Sequence, residues 1–96
     1  MDVLVTYEVN TKPKEGRRRL RKVATACKDF GQRVQYSVFE CHLTEAQLES
    51  LRARLLKIIH KGEDNLRIYR LHPPRERTIE SYGQDNYVSY DEPLVY

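Results

Sequence analysis

The sequence predicts an α+β fold, a ferredoxin-like βαββαβ sandwich with an extra C-terminal strand. Three observations carry that expectation. The alternating pattern of a half-buried strand opens the chain at Val3 to Asn10 and returns at Asn65 to Leu71. Two intervening stretches repeat their apolar residues on the 3.6 period of a helix. Between those helices lies Gln32 to Leu43, rich in β-branched and aromatic residues. It is too long for one strand of about five or six residues, so it reads as two. With 96 residues, 40% hydrophobic and 32% charged, the chain is one small domain whose modest core gains from oligomerisation. Residues 1–76 form the expected core and 77–96 a tail packed on a partner protomer.

In the first strand, Val3, Val5, Tyr7 and Val9 share one face, and Leu4, Thr6 and Glu8 share the other. Glu8, a carboxylate ending an otherwise apolar strand, has two readings: a solvated strand-end charge, or a metal-binding or catalytic group presented by a rigid element. Residues 11–16 read as a loop. The first helix follows, with its stripe at Leu20, Val23, Ala24, Cys27 and Phe30 and Gly31 as its C′ residue. Arg17, Arg18, Arg21 and Lys28 fall off that stripe and face water. Arg17, Arg18, Arg19, Arg21 and Lys22 crowd five cations at the helix start, against the helix dipole. Such a turn is either a solvated face or a surface that phosphates neutralise.

The central strands are placed at 32–36 and 38–43, joined at Tyr36-Ser37. Thr44 and Gln47 have capping-box spacing and start the second helix. Its buried stripe is Leu48, Leu51, Leu55, Ile58 and Ile59, with Arg52, Arg54 and Lys57 away from it and Gly62 ending it. His72-Pro73-Pro74 stops the last core strand at about Leu71. The tail carries Tyr82, Tyr87, Tyr90 and Tyr96, with short strands expected around 86–90 and 94–96. Two helices cover one sheet face, so the other is expected to pack in a homodimer through the sheet faces. Leu4 on that face favours such burial.

Several functional classes lose support here. No apolar run approaches the ~20 residues of a membrane span. No secretory signal is visible, and the expected location is cytoplasmic. Cys27 and Cys41 read as buried free thiols. There is no Gly-rich phosphate loop, nucleophile elbow or helix-borne histidine pair, and His42, His60 and His72 are isolated. Ser37 has no His or Asp beside it, and Arg67 and Tyr69 read as strand packing and surface. RNA-recognition motifs share the strand order, but Val38-Phe39-Glu40-Cys41 lacks their glycines and second aromatic residue. The net charge of +3 is unevenly spread: no Lys or Arg follows Arg77, whereas Glu80, Asp85, Asp91 and Glu92 do. A basic first half and an acidic tail suggest one polyanion-binding face. A lone carboxylate is a poor magnesium site, but a two-fold dimer through the bare faces would bring two copies of Glu8 together against a phosphodiester.

Four stretches carry a family resemblance: Val3-Leu4-Val5-Thr6-Tyr7-Glu8-Val9, Arg19-Leu20-Arg21-Lys22-Val23, Gly31-Gln32-Arg33-Val34-Gln35-Tyr36-Ser37-Val38-Phe39-Glu40 and Leu66-Arg67-Ile68-Tyr69. Together they resemble CRISPR-associated protein two over nearly the whole chain. The ending Asp91-Glu92-Pro93-Leu94-Val95-Tyr96 looks most like the variety found with subtype I-C arrays. The resemblance implies a ferredoxin-like homodimer whose C-terminal strand reaches the other subunit's sheet. It implies a role in acquiring new spacers, bridging two dimers of the integrase, CRISPR-associated protein one. It also implies an endonuclease on RNA or double-stranded DNA, dependent on Mg2+ or a similar divalent ion such as Mn2+. The metal carboxylate of that family ends the first strand, which here is Glu8; Asp is usual there, and Glu is one methylene longer. By motif position Arg33, Ser37 and Phe39 match the central run, and Phe39 reads first as core or interface. The implied catalytic set is Glu8, Ser37 and Arg33, and the implied nucleic-acid contacts are Arg17, Arg18, Arg19, Arg21, Lys22 and Arg33. Three functions follow for comparison: a metal-dependent phosphodiesterase, a non-catalytic clamp on duplex DNA, and a regulatory module binding a small anion.

Overall fold

A computed structural model describes residues 1–84. Its elements are β1 (Asp2–Glu8), α1 (Lys14–Phe30), β2 (Gln32–Gln35), β3 (Val38–His42), α2 (Glu45–Ile58), β4 (Asn65–Arg70) and α3 (Arg75–Thr78). The strands form one sheet in the order β2-β3-β1-β4 with antiparallel neighbours throughout, so β1 is central. This is the predicted α+β ferredoxin-like arrangement. The strands and helices supply the expected pattern: Val3, Val5 and Tyr7 face the helices, and Phe39 and Cys41 of β3 join them. Val23, Ala26 and Cys27 of α1 and Leu48, Leu51 and Leu55 of α2 close the core from above. Each large apolar side chain so buried contributes about 1.5–3 kcal/mol. Burial pushes the free thiols of Cys27 and Cys41 up, to about 12 and about 11, so neither is a thiolate nucleophile near neutral pH.

The Thr44 capping box is formed: its hydroxyl accepts from the Gln47 N–H, and the Gln47 side chain accepts from the Thr44 N–H. Other boundaries differ from expectation, each for a physical reason. α1 begins at Lys14, within the stretch read as loop, because Pro13 opens it and Gly16 lets it lie against the preceding loop. Gly16 is buried, and a Cβ there would clash with the Asn10 carbonyl oxygen. Gly31 has extended backbone (φ −165°) and no left-handed cap; a Cβ at this position would strike Cys41 Sγ and the Glu40 carbonyl, so glycine is required by close approach to β3. α2 ends at Ile58, four residues before Gly62. Beyond it the His60 N–H donates to Asp64 Oδ2 at 2.8 Å, and the His60 carbonyl accepts from Glu63 and Asp64, which turns the chain into β4.

The second sheet face carries Leu4, Thr6 and Glu8 of β1, with Glu40 and Val38 on one side and Tyr69, Arg67 and Asn65 on the other. It is partly covered after β4. No sequence signal marks α3, whose Arg75 Nε donates to Glu40 Oε2 at 2.6 Å in a nearly buried ion pair. Beyond α3, Ile79 and Tyr82 border a groove of about 330 Å³ over Leu4, Val38 and Glu40. The strands expected around 86–90 and 94–96, and the ending 91–96, lie outside the described residues. Among the described residues no helix is long and apolar enough to cross a membrane.

Candidate functional site

Glu8 is the last residue of β1 and is exposed. Its backbone is held on both sides: it pairs with Asn65 of β4, and the neighbouring Tyr7 N–H donates to the Ser37 carbonyl in the β2–β3 turn at 3.2 Å. Two clefts open beside it. One, of about 640 Å³, is lined by Thr6, Glu8, Ser37, Asn65, Arg67 and Tyr69. The other, of about 740 Å³, lies toward the helices, where Asn10, Leu20, Tyr36 and Asp64 join Glu8 and Ser37. Among the described residues Glu8 has no ion-pair partner within 4 Å. Arg67 Nη1 donates to Tyr69 Oη at 3.1 Å; that contact chiefly, with the charge of Glu8 adding, holds the guanidinium pKa up. The cleft therefore joins an available carboxylate, a hydroxyl and a cation.

A second carboxylate near this cleft is fully engaged. The Asp64 side chain is 0% exposed. Its Oδ1 accepts from the Asn10 N–H at 3.1 Å and its Oδ2 from the His60 N–H at 2.8 Å. Arg19 completes the arrangement, with Nε on Oδ2 at 2.8 Å and Nη2 on Glu63 Oε2 at 3.0 Å. Burial pushes the Asp64 carboxyl up, but Arg19 and the two backbone donors outweigh it and hold the pKa below the ordinary value. Arg19, expected on the phosphate-binding surface, is thus paired to the β4 turn.

The other cations of that turn, Arg17, Arg18, Arg21 and Lys22, are exposed. Arg17 Nη1 reaches the Thr11 carbonyl at 3.4 Å. Arg33 lies elsewhere from Glu8. It pairs in register with Phe39, on the helix-covered face, and its guanidinium carbon sits 5.1 Å from the Phe39 ring centroid and 5.7 Å from that of Tyr36. Phe39 is fully buried and stacks with Tyr7 at 6.2 Å. Arg33 borders neither of the clefts that Glu8 lines. Of the catalytic set read from sequence, Glu8 and Ser37 come together and Arg33 stands apart. Arg67 and Tyr69, set aside as packing, stand in the cleft; the cross-strand register that pairs Thr6 with Arg67 was the signal for them.

No group of three or more His, Cys, Asp or Glu side chains suited to a metal ion occurs among the described residues. A divalent ion at Glu8 therefore needs further oxygens from a second copy, from water or from a substrate phosphate.

Fold and site define a small ferredoxin-like protein that presents a strand-end carboxylate on its sheet and a cluster of cations on its first helix. A sequence profile described as CRISPR associated protein Cas2 matches residues 1–79, and the chain belongs to this family. It is 54% identical over 95 residues to "CRISPR-associated endoribonuclease Cas2 1" of Moorella thermoacetica, covering 99% of each chain. It is 45% identical over 96 residues to "CRISPR-associated endonuclease Cas2" of Halalkalibacterium halodurans, covering 100% of each. Among solved structures it resembles Streptococcus pyogenes Cas2 at pH 6.5, with a TM-score of 0.77 and 49% identity over 86% of this chain and 100% of that one. A hypothetical protein from Thermus thermophilus, TT1823, matches with a TM-score of 0.74 and 35% identity over 90% of this chain and 94% of that one.

Proposed function

We propose that this protein is a metal-dependent endonuclease of CRISPR adaptation, cutting phosphodiester bonds in RNA or double-stranded DNA. The observation that carries the reading is Glu8: an exposed carboxylate, unpaired among the described residues, on a rigid central strand beside Ser37 and Arg67. The names endoribonuclease and endonuclease borne by its relatives agree with it. In a homodimer formed through the open sheet faces, Glu8 and its copy supply two carboxylates for Mg2+ or Mn2+. When held there, such an ion would supply an activated water and would neutralise charge on the phosphate. Ser37 and Arg67 line the same cleft and are suited to steady the phosphate oxygens by hydrogen bond and charge. Arg33 does not line this cleft.

A second reading has its own support in Arg18, Arg21 and Lys22, exposed side chains on two adjacent helix turns. They suit a sequence-independent grip on a duplex backbone while a partner integrase, CRISPR-associated protein one, does the joining chemistry. In this role the dimer bridges two integrase dimers in the cytoplasm. Association with subtype I-C arrays belongs to the same reading and rests on the sequence of residues 91–96.

End-labelled single-stranded RNA and duplex DNA, incubated with wild type and Glu8→Ala with and without Mg2+, test the choice. Metal-dependent cutting lost in Glu8→Ala is the expected result. Equal cutting by both, or none by either, removes the nuclease reading and leaves the clamp.

A further inference from the structure

The β2–β3 hairpin turns on two residues, Tyr36 and Ser37, since Gln35 pairs with Val38. Two-residue hairpin tips ordinarily carry Gly, Asn or Asp, which accept positive φ. Among the described residues only Gly83 has positive φ; in this hairpin a register shift between Arg33 and Gln35 bends the strand instead. Neither turn chemistry nor burial therefore accounts for a tyrosine at the tip, where Tyr36 is 75% exposed. A lone exposed aromatic is ordinary on a protein surface, but this one is both held and placed. The Arg33 guanidinium carbon lies 5.7 Å from its ring centroid and 5.1 Å from that of buried Phe39. The Tyr36 ring thus rests on a cation tied to the core and keeps its outer face for solvent. The Ser37 carbonyl accepts from the Tyr7 N–H at 3.2 Å, which fixes the tip to the end of β1, one residue before Glu8.

Tyr36 shares the cleft of about 740 Å³ with Glu8 and Ser37, and Val9 and Leu20 give that cleft an apolar wall. On its other side Tyr36 borders a smaller recess with Arg21 and Lys28, exposed cations about two helical turns apart on α1. A carboxylate, an aromatic face and a pair of cations follow one another along the surface. That order matches a single nucleic-acid strand, with phosphates for the cations, a flat base for the ring, and a backbone that continues to Glu8. A duplex leaves the ring unused, because its bases are already paired and stacked. Only an unpaired base can lie on Tyr36.

We infer that Tyr36 is the stacking surface for an unpaired base of the strand whose backbone passes Glu8. Its effect is on specificity: it favours single-stranded over duplex nucleic acid whatever the base, since every base has a π-face. This role rests on the nucleic-acid reading given above, but not on cleavage. It also explains Arg33 away from the Glu8 cleft, as the support on which the Tyr36 ring lies.

Two variants separate the ring from its hydroxyl: Tyr36→Ala removes both, and Tyr36→Phe keeps the ring. Fluorescence anisotropy in EDTA, which withholds the metal, measures binding of one short RNA as a single strand and as a duplex. Tyr36→Ala should bind the single strand about tenfold more weakly, the scale of one stacked base, and the duplex as wild type does. Tyr36→Phe should match wild type on both. Salt separates stacking from charge. On the single strand Tyr36→Ala should leave the slope of log K against log salt unchanged, whereas Arg21→Ala should reduce it by about 0.7. A strand carrying 5-iodouracil should photocrosslink to the tryptic peptide 34–52, in which Tyr36 is the only tyrosine. Undiminished single-strand binding by Tyr36→Ala overturns this role. So does an equal loss on single strand and duplex, which would mark a general disturbance of the hairpin. Crosslinks confined to Tyr69 would move the stacking surface to the other Glu8 cleft and overturn it too. Failure of wild type to bind either form would instead remove the nucleic-acid reading, and this role with it.

Discussion

Asp64 and Glu8 stand at the same end of the sheet and differ in almost everything but charge. Asp64, in the turn before β4, is enclosed, and its oxygens are taken by Asn10, His60 and Arg19. Glu8, across the strand pair from Asn65, is exposed and has no ion-pair partner among the described residues. Burial explains the contrast. A carboxylate removed from water must be fully partnered to persist, and the partners that satisfy Asp64 also tie together the loop after β1, α1 and the turn into β4. A carboxylate left in water keeps its lone pairs for something arriving from outside. The cations repeat the lesson: Arg19 is paired to Asp64 and Glu63, while Arg18 and Arg21, one or two residues away, face solvent.

The largest effect expected from this contrast is on cleavage. Glu8→Gln, which removes charge but not size, should lower Mg2+-dependent cutting by about a hundredfold or more, since even outer-shell changes at metal sites cost 10–100-fold. Its unfolding free energy from a urea titration should stay within about 0.5 kcal/mol of wild type. Asp64→Asn should reverse the pattern, losing roughly 2–4 kcal/mol of stability while the molecules that remain folded still cut. The same variant carries a pH signature. Because the folded Asp64 pKa is lowered, its stabilisation is present above the unfolded value of about 3.9 and is lost as pH falls through the folded value. Wild type should lose stability across that acid window, and Asp64→Asn should show a flatter profile there. A Glu8→Gln protein that unfolds early, or an Asp64→Asn protein as stable as wild type, would erase the distinction. The smallest effect concerns the cations. Arg18→Ala combined with Arg21→Ala should reduce the slope of log K against log salt for duplex binding by about 2, whereas Arg19→Ala should leave the slope and lower stability.

Much of the architecture was legible because periodicity reports which face of an element meets the core. The strand at Val3–Glu8, the Thr44 cap and the Leu48, Leu51, Leu55 stripe depend on local pattern alone. What escaped depends on meetings between distant segments. Gly16 and Gly31 looked like loop and cap signals, but their role is to admit the Asn10 carbonyl and β3. Gly62 looked like the end of α2, but Asp64 captures the His60 N–H and turns the chain earlier. Nothing local marks Arg75 as the partner of Glu40, thirty-five residues back. The site divides in the same way. Glu8 was visible as a charge out of pattern, whereas Arg67 and Tyr69 become neighbours of it only through strand register. Arg33 matches the family motif, and its position on the helix side follows from its pairing with Phe39.

The ion pair between Glu40 and Arg75 divides the uncovered side of the sheet into unequal halves. Around Leu4 and Glu40 the ground is occupied by α3 and the residues after it, and displacing Arg75 would strand a nearly buried charge. Among the described residues the half around Thr6, Glu8 and Arg67 stays open. In the proposed homodimer, a second copy therefore meets the least steric resistance at the Glu8 end. An isologous contact there would set its rotation axis close to the strand terminus, off the centre of the sheet. In such a homodimer the short segment that follows β4 would act as a spacer, steering the two subunits toward the geometry in which each carboxylate faces its own image.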